Sequence, residues 1–253
     1  MNINASEVCH AASFTYFRCD CDLLFFITAD AAAAMYVYPM EVSLNDKGTR
    51  QLTLLSKDDD VQFVKVTLKR IENPGTPQER EVVSDIGGDT GIAVVPSKIA
   101  LAAGSERIVR IVSMLPPEKE TTWRIYFESV DNNTFNSEIT GEKSNKDIST
   151  RVGVNIIWGV LLHVPPENVV VSMKYRPGSS EIVNDGTVRL PLKEIGICDK
   201  QGRCKWQSKV KTIYPDMHVI LKDFTFRPGE HYKFKYTDVT TGNIKEIAPE
   251  VLP

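Results

Sequence analysis

Short apolar runs alternate with turn-forming residues along most of this chain. The runs are rich in Val, Ile, Thr, Tyr and Phe, and clusters of Gly, Pro, Asn and Asp separate them, which is the pattern of β-strands and their connections. No stretch of a dozen residues has apolar positions that repeat every 3.6 residues, as an amphipathic helix would. The pattern therefore predicts an all-β protein, with strands within 35–44, 61–71, 92–95, 108–112, 122–130 and 152–164.

Two prolines, Pro165 and Pro166, follow the longest of these strands. Proline removes a donor from a strand ladder and restricts the residue before it, so a strand is expected to end here. Strands spaced in this way are typical of β-sandwiches of about 100 residues each. We predict two immunoglobulin-like β-sandwich domains, 35–164 and 167–253, joined at a proline corner. Within the second, Asn184-Asp185-Gly186 is predicted to be a turn between strands.

The first 34 residues have a different pattern. An apolar core at 23–27 is followed by four alanines at 31–34, which is the arrangement of a secretory signal peptide. Arg18 is the only basic residue before the apolar core, so an ordered N-terminal segment or a wrongly chosen start codon is the alternative interpretation. No apolar run reaches the roughly 18 residues that span a bilayer, and residues 35–253 are therefore predicted not to be embedded in a membrane.

Both the net charge and the cysteine content differ between residues 1–34 and the rest of the chain. The 253 residues carry a formal net charge of −3, but residues 1–34 hold four of the 33 acidic and one of the 30 basic side chains, which leaves 29 of each. A neutral exported protein gives no electrostatic reason to expect nucleic acid as a partner. Three of the five cysteines also lie in residues 1–34, and Cys198 and Cys204 remain. A disulfide between these two is favoured, with two free thiols as the alternative.

Motifs that carry chemistry are missing from the sequence. The four histidines are scattered without metal-ligand spacing, and there is no nucleophile elbow, phosphate-binding glycine loop or zinc-protease motif. Asp58-Asp59-Asp60 lacks the alternating ligand spacing of a calcium loop and is interpreted as a solvated turn. We therefore predict no catalytic residue, no metal and no cofactor, and a protein that is not an enzyme.

The segment 151–164 is distinguished by its length and by the polar stretch 131–150 before it, which is predicted to be a loop. Side chains two residues apart lie on the same face of a strand. One face of this segment is therefore formed by Val152, Val154, Ile156, Trp158 and Val160. Two interpretations follow: a long core strand that leads into the interdomain corner, or an edge strand that contributes its side chains to another protein.

A family resemblance favours the second interpretation. Val37-Tyr38-Pro39 resembles the opening strand motif of the PapD-like periplasmic chaperones of the chaperone-usher pilus pathway. Further segments, and the pair Cys198 and Cys204, are similar to the alternate branch of that family, which serves α-type colonisation-factor fimbriae. These segments are 63–66, 73–76, 94–98, 103–105, 126–128, 154–157 and 184–189.

The resemblance implies a function for the long strand. In this family the last strand of the first domain completes a pilin, which is an immunoglobulin-like sandwich that lacks its final strand, and the chaperone delivers the pilin to an outer-membrane usher. It implies a periplasmic location, with fimbrial subunits and an usher as partners. It also implies that the pilin-binding side chains are Val152, Val154, Ile156, Trp158 and Val160.

The chain departs from the better-known branch at one site. There, an Arg on the first strand and a Lys in the donor strand anchor the carboxylate at the C-terminus of the pilin, but the aligned positions here are Met35 and Leu161. Neither side chain binds a carboxylate. Arg124 and Arg110 are the candidates for this role, and the alternative is that both are solvated or ion-paired surface residues.

Another class of function remains open. An exported immunoglobulin-like pilus subunit or adhesin would begin, after its signal, with a free extension of alternating polarity. Residues 35–44 are instead expected to be a first strand built into the first domain. A hydrolase on a β-sandwich has no motif to support it.

Overall fold

The computed structural model describes residues 35–86, 91–140 and 155–252. In this part of the chain it contains eighteen strands and one helix, α1, at Asn132–Thr140. The strands of the first half are β1 Met35–Tyr38, β2 Glu41–Ser43, β3 Thr49–Ser56, β4 Gln62–Glu72, β5 Arg80–Ser84, β6 Ile92–Val95, β7 Lys98–Leu101, β8 Glu106–Ser113, β9 Thr121–Val130 and β10 Ile157–Val164. Those of the second half are β11 Lys174–Tyr175, β12 Glu181–Val183, β13 Leu190–Cys198, β14 Cys204–Ile213, β15 His218–Ile220, β16 His231–Thr237, β17 Ile244–Ile247 and β18 Glu250–Val251.

The first ten strands form two sheets that face each other. One sheet has the order β1-β3-β8-β6, and the other has the order β2-β10-β9-β4-β5, with β7 also paired to β4. The alternation of buried and exposed side chains along β1 and β4 is the pattern of strands with one face on a core. Fully buried residues from both sheets, among them Leu54, Val64 and Phe127, form a single apolar core between them.

The last eight strands form a second pair of sheets with their own core. Their orders are β15-β12-β11-β18 and β14-β13-β16-β17, and Phe226 and Phe234 lie fully buried between them. Cys198 and Cys204 are directly opposite in the β13–β14 hairpin and form a disulfide. The prediction of an all-β protein made of two immunoglobulin-like sandwiches is confirmed. Every strand pairing in the described residues stays on one side of Pro165 and Pro166, which supports the proposed domains 35–164 and 167–253.

The segment that follows β9 differs from the prediction. The stretch 131–150 is predicted to be a loop, but it begins with α1, which starts where Asp131 accepts hydrogen bonds from the backbone N–H and side chain of Thr134. Phe135 on this helix packs against Phe63 of β4, with ring centroids 4.8 Å apart. The helix is short and mostly polar, so apolar periodicity gives no signal for it. Residues 1–34, with the predicted signal peptide, lie outside the described part of the chain.

Candidate functional site

Strand β10 is paired on both sides for only part of its length. All eight of its residues, Ile157 to Val164, pair with β9, whereas only Leu161 to His163 pair with β2. The N–H of Leu161 donates to the carbonyl of Met40, at the start of the contact with β2. No other strand in the described residues pairs with β10 from Ile157 to Val160. This half of β10 is therefore an open edge, with backbone groups free to pair with another strand.

The core-facing side of β10 extends beyond the core itself. Leu162 and Val160 are fully buried, Trp158 is half-buried, and Ile156, just before the strand, is 43% exposed. Asn155 donates a side-chain hydrogen bond to the carbonyl of Ser129 at 3.2 Å, so the chain still follows β9 at this point. The apolar face therefore continues past the place where the opposing sheet stops covering it.

The structure separates the residues that the sequence analysis placed on this face. Val152 and Val154 lie outside the described residues. Ile156 is exposed, and Trp158 lies at the boundary against Tyr36 of β1, with ring centroids 5.7 Å apart. Val160 is fully buried in the protein's own core, so its side chain is not available to a partner. Val160 and Ile156 share a face of the segment by alternation, but only Val160 is fully buried.

The opposite face of this sheet carries a charged cluster around Glu81. Glu81 accepts hydrogen bonds from the Tyr126 hydroxyl at 2.8 Å and from Lys69 Nζ at 3.2 Å, and Arg124 Nη1 lies 3.2 Å away. Burial alone would raise the pKa of Glu81, but these hydrogen bonds and positive charges outweigh it and lower the pKa. Gly159 of β10 lies beneath the cluster, where an added Cβ would be 3.0 Å from the Tyr126 ring. The cluster is therefore packed closely onto the backbone of β10.

The two arginines named as carboxylate-anchor candidates lie in different sheets. Arg124 is directly opposite Leu161 in the β9–β10 ladder, on the face that bears the Glu81 cluster. Arg110 is on β8, opposite Val95 in the other sheet. Met35 is buried in the core of the first sandwich. The geometry therefore leaves only Arg124 beside the long strand, and there it is ion-paired with Glu81.

The far end of β10 is fixed by a cluster of polar side chains at the junction of the two sandwiches, largely buried except for Glu41. His163 is fully buried, with Nε2 3.3 Å from Glu41 Oε1 and Nδ1 3.7 Å from Glu120 Oε1. Arg189 of the second sandwich donates to Glu120 Oε2 at 2.9 Å and to the Ser43 hydroxyl at 3.0 Å. The hydrogen bond from His163 contributes most to lowering the pKa of Glu41. The sequence analysis missed this cluster, because its members are far apart in sequence and no spacing links them.

Two further observations limit what the site does. In the described residues, no group of three or more His, Cys, Asp or Glu side chains is arranged to hold a metal ion. None of the helices in that part of the chain is long and apolar enough to span a membrane. What β10 does show is an apolar strand edge that, among the described strands, is unpaired from Ile157 to Val160 and pairs with β2 from Leu161 to His163.

Comparison with known proteins gives a consistent set of relatives. No protein-family model matches the sequence. Over 193 residues, which are 74% of this chain and 79% of the relative, the chain is 31% identical to a CFA/I fimbrial subunit from Escherichia coli. It is also 31% identical, over 77% of its length and 84% of the relative, to a CS1 fimbrial subunit from Escherichia coli.

Two matching solved structures contain fimbrial chaperones, whereas the two relatives above are named fimbrial subunits. The crystal structure of the class 5 fimbriae chaperone CfaA superposes with a TM-score of 0.71 at 26% identity, and the match covers 87% of this chain and 99% of that one. A chain from a chaperone–tip adhesin complex of CFA/I fimbriae matches with a TM-score of 0.65 at 26% identity, over 86% of this chain and all of that one.

Proposed function

This chain belongs to the PapD-like family of fimbrial chaperones, in its class 5 group, and we propose that the open edge of β10 is where it binds a fimbrial subunit. It is a chaperone that stabilises such subunits by donor-strand complementation, and it is not an enzyme. We further propose that it acts in the periplasm and that it delivers the subunit to an outer-membrane usher. Support for the location comes from the predicted signal peptide in residues 1–34.

The observation that carries the proposal is the partly covered face of β10. A strand with free backbone groups on one edge and an apolar stripe that runs past its own core has the two features of strand addition. The partner's backbone would pair with Ile157 to Val160, and its open groove would receive Ile156 and the two residues on the same face before it, Val152 and Val154. Burying an exposed aliphatic side chain contributes about 1.5–3 kcal/mol before the costs of association.

The alternative, a pilus subunit or adhesin, has less support. A pilin that needs a donor strand lacks the last strand of its own sandwich, whereas β10 is present here and is paired with both β9 and β2. Residues 35–43 do not form a free extension, because β1 pairs with β3 and β2 pairs with β10. The first sandwich is therefore complete and donates a strand edge.

Two matched variants test the proposal through the capture of a fimbrial subunit. The probe is a class 5 fimbrial subunit without its N-terminal extension. It is co-expressed with the chaperone, and the amount that co-purifies with the chaperone is measured. Ile156→Asp places a charge on the proposed binding face and is expected to reduce capture at least tenfold. Ile108→Asp is the control, since Ile108 is 52% exposed and lies on the other sheet of the same sandwich. Undiminished capture by Ile156→Asp, or an equal loss with Ile108→Asp, would contradict the proposal.

A further inference from the structure

Trp158 occupies the point at which the chaperone's own core ends. It is opposite Phe127 in the β9–β10 ladder, next to the fully buried Val160 on one side and the exposed Ile156 on the other. It packs against the core of the first sandwich without being fully buried. Any partner that adds to the open edge of β10 must therefore contact Trp158.

The indole N–H of Trp158 has an unusual environment. Nε1 is shielded from solvent, yet no described residue offers it a hydrogen-bond acceptor. Trp123 in the same sandwich shows the ordinary arrangement, because its Nε1 donates to the Thr121 hydroxyl at 2.8 Å. An indole nitrogen is a donor only, and leaving such a donor buried and unpaired is unfavourable, because it has lost its hydrogen bonds to water without gaining another. The free chaperone therefore holds a polar group that a different arrangement would satisfy.

Trp158 packs against Tyr36 at the edge of the sandwich. Its partner, Tyr36, lies on β1, a strand of four residues that pairs with β3 and with no other strand of the described residues, and the Tyr36 side chain is itself 39% exposed. The two rings meet at 43°, a tilted contact. Such aromatic pairs add only modestly to the stabilisation that comes from their buried area. A strand that adds to this edge and offers an acceptor to Nε1 would therefore compete with the contact to Tyr36.

From these contacts we infer that Trp158 is a movable cap that positions the bound subunit. In the free chaperone the indole closes the end of the core against Tyr36. When a strand of the subunit pairs with Ile157 to Val160, the indole turns into the subunit's groove, and its N–H donates to a main-chain carbonyl of the subunit. Trp158 thereby marks where the subunit's core begins and sets the register of the added strand. This inference rests on the proposed function.

Fluorine NMR on the whole chaperone follows the indole directly. The protein is labelled with 5-fluorotryptophan, and its three tryptophan signals are assigned from the Trp123→Phe, Trp158→Phe and Trp206→Phe variants. The probe is a class 5 fimbrial subunit without its N-terminal extension, and complex formation is checked separately by size-exclusion chromatography. The Trp158 signal is expected to shift on binding. The signal of Trp206, which lies in the second sandwich beneath Lys235, should stay in place.

The Trp158→Phe variant tests the hydrogen bond. It keeps an apolar ring but lacks the donor, so its affinity for the subunit is expected to be about five- to tenfold weaker, while Trp206→Phe binds like the unsubstituted chaperone. A complex that forms with no change in the Trp158 signal, or with full affinity in Trp158→Phe, overturns the inference and leaves the proposed function intact. Failure of the unsubstituted chaperone to form any complex overturns both.

Discussion

Arg189 of the second sandwich donates a hydrogen bond to Glu120 of the first across 2.9 Å, in a place where the Glu120 side chain is only 1% exposed. The same carboxylate lies beside His163, which is part of β10. The strand that is proposed to bind the subunit is therefore fixed at its C-terminal end by contacts to the other sandwich. An edge that must pair with a foreign strand benefits from such an anchor, because the backbone is already ordered before binding.

Removing one member of this pair should be costly. Arg189→Met leaves the Glu120 carboxylate buried without its main partner, and we expect the free energy of unfolding to fall by about 3–5 kcal/mol in urea titrations. The double variant Arg189→Met, Glu120→Met should recover much of the loss. Lys119→Met is the control, since the Lys119–Asp216 pair is exposed and should contribute within about 1 kcal/mol. A loss below about 1 kcal/mol in Arg189→Met would mean that the buried pair does not stabilise the junction.

Asp238 should make stability depend on acid pH. Its hydrogen bond with Lys245, helped by the backbone N–H groups of Thr240 and Thr241, lowers the pKa of Asp238 to about 2. A carboxyl whose pKa is lower in the folded state stabilises the protein above its unfolded pKa, and this contribution is lost as the pH falls from about 4 to 2. Asp238→Asn should therefore be less stable by up to about 2 kcal/mol at pH 7, and equally stable at about pH 2. Urea unfolding of both proteins across this range measures the difference, and Lys245→Met should reproduce it. A difference in unfolding free energy between the two proteins that stays constant with pH would contradict the lowered pKa of Asp238.

The disulfide should matter for stability and not for binding. Cys198 and Cys204 close a short hairpin in the second sandwich, where Asp199 already orders the turn through hydrogen bonds from Gln201 and Arg203. The double variant Cys198→Ser, Cys204→Ser should lose about 2 kcal/mol of unfolding free energy. Capture of the fimbrial subunit should be unchanged, because β10 lies in the other sandwich. Reduction with dithiothreitol should lower the thermal midpoint of the unsubstituted protein and have no effect on the double variant. Loss of capture would show that the hairpin takes part in binding.

Asn184 should be among the costliest polar residues to replace. Its side-chain amide is fully buried, donates to the carbonyls of Val188 and Ile213 at 2.9 Å each, and accepts from the N–H of Gly186. Asn184→Ala leaves these groups unpaired and should lower the unfolding free energy by about 2–4 kcal/mol in urea. Asn45 is the matched control. Its side-chain oxygen accepts hydrogen bonds from the backbone N–H groups of Lys47 and Thr49 in an exposed turn, where water can replace them. Asn45→Ala should cost about 1 kcal/mol or less, and an equal effect of the two substitutions would show that burial is not decisive.

The contrast between these two asparagines shows which features could be predicted from the sequence. Asn184-Asp185-Gly186 has the composition of an exposed turn, and in the structure it begins the irregular connection between β12 and β13, which lie in different sheets. Composition does not reveal that the Asn184 side chain points inward and ties together two segments that lie far apart in sequence. Local pattern reports the backbone conformation, whereas the partner of a side chain depends on which segments pack against it.

The all-β class, the two sandwiches and the family were readable from the sequence, because alternation of side chains and turn residues are local properties of the chain. The strands β3, β5 and β7 were not among the ranges predicted from it. What the tertiary structure decided is how much of the face shared by Ile156, Trp158 and Val160 is available to a partner. The three residues have the same periodicity, but Val160 is fully buried, Trp158 is half-buried, and Ile156 is 43% exposed. The boundary between a core strand and a donor strand is set by where the covering sheet ends, and no local pattern in β10 records that position.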